Sequence, residues 1–157
     1  MTDRSVVHDT FVLERQYPSA PAGVFAAFAD VAQKARWFRG PDEWPAPEWA
    51  MDFRVGGVET SRSADDTGLV HGFLAHYIDI VPESRIVYTY EMTMDDVRTS
   101  VSVTTIEIIP DGTGTHLIFT EQGAFLDGHD RAGERRHGTS GLLDAMGATL
   151  TTQSVDA

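Results

Sequence analysis

The sequence predicts an α+β fold in which a curved antiparallel sheet packs against one long C-terminal helix. A strand-like segment, residues 10–17, comes first, and two short helical segments rich in aromatic residues follow over 22–29 and 31–38. Segments with the composition of strands then repeat, with turn signals between them, which is typical of an antiparallel meander. The last apolar stripe of the chain has helical spacing. Such a two-layer arrangement can leave an apolar hollow between sheet and helix.

Six to seven segments have the composition of strands, and turn signals separate most of them. Gly56-Gly57 and the run from Pro110 to Gly114 are typical of tight connections. β-branched residues dominate the sixth segment, as expected of a strand. The predicted strands span residues 10–17, 50–55, 58–63, 69–80, 85–94, 99–109 and 115–122.

The final helix is predicted over residues 131–150, because four apolar residues recur there at helical spacing. Asp127 or Asp130 can cap its N-terminus. Three glycines weaken the first half as a helix, but the apolar face of the sheet needs a layer that covers it. The apolar stripe consists of Leu142, Leu143, Met146 and Leu150.

Length and composition narrow the class of protein. A chain of 157 residues fits a single domain over 1–157, and the polar residues 1–9 are expected to form a flexible N-terminus. The absence of cysteine excludes disulfides, thiolate metal sites and a cysteine nucleophile. The net charge of −12 repels phosphate backbones and anionic lipids, so we expect neither nucleic acid nor membrane as a partner. With no secretory signal and no apolar run of the roughly 20 residues that span a bilayer, we expect a cytoplasmic protein.

Several short motifs, in their order along the chain, resemble those of the START-like (SRPBCC) superfamily. They are most similar to the branch named for the C-terminal domain of the activator of the 90-kDa heat-shock-protein ATPase. The resemblance covers nearly the whole chain, over residues 10–150. The motifs lie at residues 17–25, 35–38, Gly40-Pro41, 51–57 with its D-x-R-x-G-G form, Gly72, 85–90 and 120–125.

This resemblance implies a helix-grip fold, with a strongly bent antiparallel sheet wrapped around the C-terminal helix. It also implies a cavity between them that takes small apolar or amphipathic molecules. It does not imply one function, because members of the superfamily include lipid carriers, hormone receptors, polyketide cyclases, chaperone cofactors and many bacterial proteins. A homodimer is compatible with the resemblance.

The aromatic residues are the first candidates for a ligand-binding site. Ligand pockets are mostly apolar and aromatic, with few polar groups, although the same residues could fill a solid core. Trp44 and Trp49 favour a pocket, because they lie in a proline-rich loop and a loop tryptophan needs apolar surface to cover. The apolar candidates for ligand contact are Phe25, Phe28, Trp37, Phe38, Trp44, Trp49, Phe53, Phe73, Phe119, Phe125, Leu143 and Met146.

Four polar residues are candidates for contacts with a ligand. Alternation along the seventh strand directs Glu121 inward, where burial would raise its pKa unless it is paired. The alternative is that Glu121 lies near water at the strand end or pairs with Arg54 or another arginine. Tyr88 and Tyr90 share a face of the fifth strand, and Thr104 of the sixth strand is expected to face the same hollow.

Neither a metal nor a cofactor is expected. His129, Glu134 and His137 do not have HExxH spacing, and a solvated helix face that also carries Arg131, Arg135 and Arg136 explains them better. His71 and His76 fall on opposite faces of the fourth strand. The GxSxG motif and glycine-rich phosphate loops are absent. Lys34 is the only lysine among twelve basic residues, a bias that a GC-rich genome explains.

Three functions remain open at this point. The first is binding of a small apolar or amphipathic molecule in the hollow. The second is an enzyme of the cyclase or dehydratase kind, in which Glu121, His71 or His76 acts as general acid–base on a polyketide-like substrate. The third is a protein-interaction, co-chaperone-like module with a filled core and an acidic surface. We expect the first, without catalysis.

Overall fold

The computed structural model describes residues 4–40 and 44–156. Ten helices and strands occur in the described residues, in the order that the sequence predicts. They are β1 (Val6–Tyr17), α1 (Pro21–Ala29), α2 (Val31–Lys34), β2 (Glu48–Met51), β3 (Val58–Ala64), β4 (Val70–Val81), β5 (Arg85–Met94), β6 (Val97–Asp111), β7 (Gly114–Leu126) and α3 (Ala132–Asp156).

The seven strands form one antiparallel sheet in the order β1-β7-β6-β5-β4-β3-β2. One face of the sheet is apolar and curves around α3, because alternate residues of each strand point to the same side. On β7, Leu117 and Phe119 are buried on this inner face, and the same alternation buries Glu121. The predicted α+β helix-grip fold is therefore confirmed.

Side chains of β1 hold α3 against the sheet. The Tyr17 hydroxyl donates a 2.8 Å hydrogen bond to the backbone carbonyl of Leu143, inside the core. A Cβ at Gly147 would lie 2.9 Å from the Tyr17 ring, so the absence of a side chain there permits the close approach. Arg15 Nε donates to Asp144 Oδ1 at 2.9 Å. These contacts turn the predicted apolar stripe of α3 toward the core, where Met146 is fully buried.

The prediction of a flexible segment over residues 1–9 is wrong for its last four residues. β1 begins at Val6 and pairs with Leu126, and the pairing continues without a break to Tyr17 opposite Thr115. β7 extends four residues beyond its predicted end at residue 122. The longer β7 offers backbone partners to Val6–Asp9, which the polar composition of that segment did not reveal.

The predicted two-residue hairpin at Gly56-Gly57 is also wrong. β2 ends at Met51, and the chain turns through a hydrogen bond from Gly57 N to Arg54 O at 2.7 Å. A Cβ at Gly57 would lie 2.0 Å from the carbonyl oxygen of Asp52, so only glycine fits this turn. The earlier start of β2 places Trp49 in a strand and not in a loop.

The second helix is shorter than its predicted span of 31–38. α2 ends at Lys34, although its N-terminus is capped as expected, with Asp30 Oδ1 accepting from Gln33 N at 3.0 Å. The next residues continue as turns, in which Phe38 N donates to Lys34 O at 2.9 Å. This tight path carries Trp37 and Phe38 toward the sheet.

Candidate ligand-binding cavity

A cavity of about 1000 Å³ lies between the inner face of the sheet and α3. Its remaining walls come from α2, the turn after it and the proline-rich segment before β2. Eleven of the sixteen predicted site residues line it. These are Phe28, Trp37, Phe38, Trp44, Trp49, Phe73, Tyr88, Tyr90, Phe119, Glu121 and Leu143.

The structure places the other five predicted residues outside the cavity wall. Phe25 packs edge-on against Phe53, with ring centroids 5.7 Å apart, on the side where α1 meets the sheet. Met146 belongs to the packed core between α3 and the sheet. Thr104 is fully buried opposite Tyr88 in the β5–β6 ladder. Phe125 is also buried, and its ring centroid lies 5.4 Å from Arg135 Cζ. The sequence predicted that these residues belong to the interior, but it did not predict the depth of the space in front of them.

Glu121 is the centre of a buried polar cluster in the cavity wall. It accepts hydrogen bonds from the Tyr90 hydroxyl at 2.6 Å and from Ser102 Oγ at 3.4 Å. Arg135 Nη1 lies 3.4 Å from its second oxygen. Burial raises the pKa of Glu121, and the hydrogen bond from Tyr90 together with the charge of Arg135 opposes this shift. The arginine partner of Glu121 is therefore Arg135 and not Arg54, whose Nε donates to Asp52 Oδ2 at 2.8 Å.

Arg135 does not lie on a solvated helix face, as the sequence analysis expected. Its side chain is only 12% exposed, and it donates to the Tyr90 hydroxyl at 2.8 Å, to Ser100 Oγ at 2.9 Å and to the Asp130 carboxylate. A signal for this position was present in the sequence. Arg135 precedes Leu142 by seven residues, about two helical turns, so it continues the apolar stripe toward the N-terminus of α3.

A second buried polar cluster, which the sequence analysis missed, surrounds Glu59 of β3. Lys34 Nζ donates to Glu59 Oε1 at 2.7 Å, Trp49 Nε1 donates to Oε2 at 2.9 Å, and the Tyr77 hydroxyl donates to Oε1. Glu59 and Lys34 are 0% and 5% exposed. Burial lowers the pKa of Lys34, and the charge of Glu59 opposes this shift. Lys34 lines the cavity, and its Nζ lies 4.5 Å from the centroid of the Phe38 ring.

The cavity mouth is formed by half-buried aromatic residues. The Trp44 ring stacks on His71 with centroids 5.9 Å apart, and His71 Nε2 lies 2.9 Å from Asp65 Oδ2. Trp37, by contrast, is buried, and its Nε1 donates to the Ala27 carbonyl at 3.0 Å. His76 is exposed on the opposite face of β4 and is not among the lining residues.

We expect the substitution Glu121→Gln to change how stability depends on pH. Because burial raises the pKa of Glu121, the folded protein retains a proton that the unfolded carboxyl, with its ordinary pKa of 4.5, has released. The stabilisation of the folded state that comes from protonated Glu121 is fully present below the pKa of the unfolded carboxyl. It is lost as the pH rises through the pKa of Glu121 in the folded protein. We expect urea unfolding at several pH values between about pH 4 and pH 8 to show that, as the pH rises, the free energy of unfolding of the wild type decreases relative to that of the variant. A difference that is constant with pH would contradict the raised pKa.

Within residues 4–40 and 44–156, no group of three or more histidine and carboxylate side chains is arranged to hold a metal ion. The same residues contain no helix that is long and apolar enough to cross a bilayer. Besides members of the two carboxylate clusters, the polar side chains that line the cavity include Arg39, Ser61, Ser63, His71, Glu134 and Thr139.

An antiparallel sheet that curves around a C-terminal helix, with a cavity between the two, is characteristic of the START-like class of folds. The model of the activator of Hsp90 ATPase homolog 1-like proteins matches residues 18–151. The chain belongs to this family. A comparison with curated proteins found no match.

Solved structures from rhizobia are similar to the chain over nearly its whole length. A protein from Rhizobium leguminosarum is 43% identical, with a TM-score of 0.92, and the match covers 96% of this chain and 99% of that one. The Mll3558 protein from Rhizobium loti is 48% identical, with a TM-score of 0.85 and coverage of 92% and 98%. An AHSA1-like protein from Aeromonas hydrophila is 18% identical, with a TM-score of 0.70 and coverage of 93% and 94%, and shares the fold.

Proposed function

We propose that the protein binds a small apolar or amphipathic molecule in the cavity between the sheet and α3. The observation that carries this proposal is a space of about 1000 Å³ whose walls include nine phenylalanine, tryptophan and tyrosine residues. Small-molecule sites are typically of this size, apolar, and supplied with a few oriented polar groups. Glu59 and Glu121 belong to two such polar groups, on opposite sides of the sheet centre.

The same geometry favours binding over the two other functions. A protein-interaction module with a filled core does not need a cavity of this size. An enzyme of the cyclase kind needs an acid or base that is free to reach its substrate. The oxygens of Glu121 already accept from Tyr90, Ser102 and Arg135, and His76 faces away from the cavity. His71 is held by Asp65 at the mouth.

The substitution Leu142→Trp is expected to weaken binding by occupying part of the cavity. Leu142 is half-buried and lines the space, so the larger ring occupies volume that a ligand would take. Nile red, a neutral apolar dye, should fluoresce more strongly with the wild type, and the variant should bind it at least about tenfold more weakly. Val12→Trp is the matched control, because Val12 is 45% exposed on the outer face of β1. Equal dye binding by Leu142→Trp and wild type, with unchanged circular dichroism, would contradict the cavity as the site.

Native mass spectrometry of the freshly purified protein tests the proposal without a chosen probe. A retained molecule of a few hundred daltons should appear as a mass increment that Leu142→Trp lacks. The ligand should also raise the melting temperature, because it binds the folded state alone. If a panel of lipids, aromatic compounds and polyketides gives neither a mass increment nor a thermal shift, the proposed function is wrong.

A further inference from the structure

The only lysine of the chain is buried in the wall of the cavity. Lys34 is 5% exposed, whereas the other eleven basic residues are arginines. A genomic bias toward arginine explains the composition, but it does not explain why the one lysine lies at this position. An ammonium group carries three N–H donors. Within the described residues, Glu59 is the one hydrogen-bond acceptor that Lys34 Nζ contacts. Lys34 therefore keeps unused donors at the cavity wall.

The cluster around Glu121 has less to offer a ligand. The Tyr90 hydroxyl donates to Glu121 and accepts from Arg135. Arg135 in turn donates to Tyr90, Glu121, Ser100 and Asp130. These groups form hydrogen bonds to one another, so their donors and acceptors are already used within the cavity wall. The polar end of a ligand finds a free donor at Lys34.

The charges around Lys34 favour a neutral ligand group. Glu59 balances the charge of Lys34, and the two other donors to Glu59, Trp49 and Tyr77, are neutral. A ligand carboxylate would stand beside the Glu59 carboxylate with one ammonium between them, in a chain whose net charge is −12. A carbonyl oxygen accepts a hydrogen bond without adding charge and without needing an acceptor in return.

We propose that Lys34 Nζ donates a hydrogen bond to the carbonyl oxygen of a neutral, largely apolar ligand. This inference rests on the proposed function, and it adds the chemical class of the ligand and the end of the cavity where its polar group binds. The Phe38 ring, which lies 4.5 Å from Nζ, and the Trp37 ring pack beside this end and would contact the hydrocarbon next to the carbonyl.

Three probes of nearly the same shape test the inference by calorimetry. Benzophenone has a carbonyl oxygen, diphenylmethane lacks it, and diphenylacetate has a carboxylate at the same carbon. Benzophenone should bind at least about tenfold more tightly than either of the others, because a hydrogen bond from a charged donor contributes on that scale. Equal binding of benzophenone and diphenylmethane would overturn the inference and leave the proposed function standing. Tightest binding of diphenylacetate would also overturn the inference, and failure of all three probes to bind would count against both.

Selective labelling of lysine makes the test specific for Lys34. Because the chain has one lysine, ¹³C-lysine gives a single set of side-chain NMR signals. The Cε signal should shift on addition of benzophenone and shift much less with diphenylmethane. An unchanged Cε signal in the protein saturated with benzophenone would overturn the inference.

A charge-neutral double variant, Lys34→Met/Glu59→Gln, keeps the test informative if Lys34→Met alone fails to fold. It should bind benzophenone and diphenylmethane with equal affinity. Arg36→Met is the control, because Arg36 is exposed just beyond α2, and it should retain the tenfold preference. A preference that persists in the double variant would overturn the inference.

Discussion

Replacing Lys34 with methionine is expected to lower the free energy of unfolding by about 3–5 kcal/mol, the cost of removing one partner from a buried ion pair. Glu59 is fully buried, and Lys34 is the cation that contacts it, at 2.7 Å. Methionine fills a similar volume, so the loss reflects the uncompensated carboxylate more than a cavity. The hydrogen bonds from Tyr77 and Trp49 would remain, but they carry no positive charge.

Urea unfolding of three proteins measures this effect. Wild type and Lys34→Met should differ by several kcal/mol, and Lys34→Met/Glu59→Gln should recover much of the difference, because removal of both charges leaves neither uncompensated. Arg36→Met, next to the same turn but exposed, should change stability by less than about 0.5 kcal/mol. A loss in the double variant as large as that in Lys34→Met would show that packing, and not charge compensation, sets the cost.

Replacing Arg135 with methionine is expected to lower the free energy of unfolding by about 1.5–3 kcal/mol, the range for hydrogen bonds to charged groups. Arg135 joins the first turns of α3 to three strands, through Ser100 of β6, Tyr90 of β5 and Glu121 of β7. Its loss leaves Glu121, which is 1% exposed, without a cation. The first half of α3 has a weak apolar stripe, so Arg135 supplies much of its attachment to the sheet.

Hydrogen exchange combined with urea unfolding checks this prediction. In Arg135→Met the amides of the first two turns of α3 should exchange faster, while those around Leu143, which stays packed in the core, should change in step with global stability. Arg136→Met is the matched control, because its neighbouring side chain is exposed. Equal exchange of the first turns in Arg135→Met and Arg136→Met would contradict an anchoring role for Arg135.

Local patterns predicted the elements of the fold and many inward-facing residues. Alternation in β7 placed Glu121 inside, and alternation in β5 placed Tyr88 and Tyr90 on one face that lines the cavity. The position of Trp44 in a proline-rich segment predicted that it covers something, and it stacks on His71. These inferences succeeded because strand direction and turn composition depend on residues close together in sequence.

The pairing of charged residues was not predictable in the same way. Lys34 and Glu59 are 25 residues apart, and Arg135 and Glu121 are 14 apart on different elements. On sequence grounds Lys34 was one more basic residue in a short helix, and Arg135 belonged to a run of polar residues. Each is a buried cation because the fold places it beside a carboxylate on the inner face of the sheet that is distant in sequence.

The sequence by itself determined the order of elements, the inner face of the sheet and the family to which the motifs belong, because each depends on short-range periodicity and composition. Only the tertiary structure decided which inward residues line an open space and which pack into the core, and which carboxylate each buried cation meets. Those outcomes depend on the curvature of the sheet and on its distance from α3. Contacts between residues that are far apart in the chain set both of these quantities.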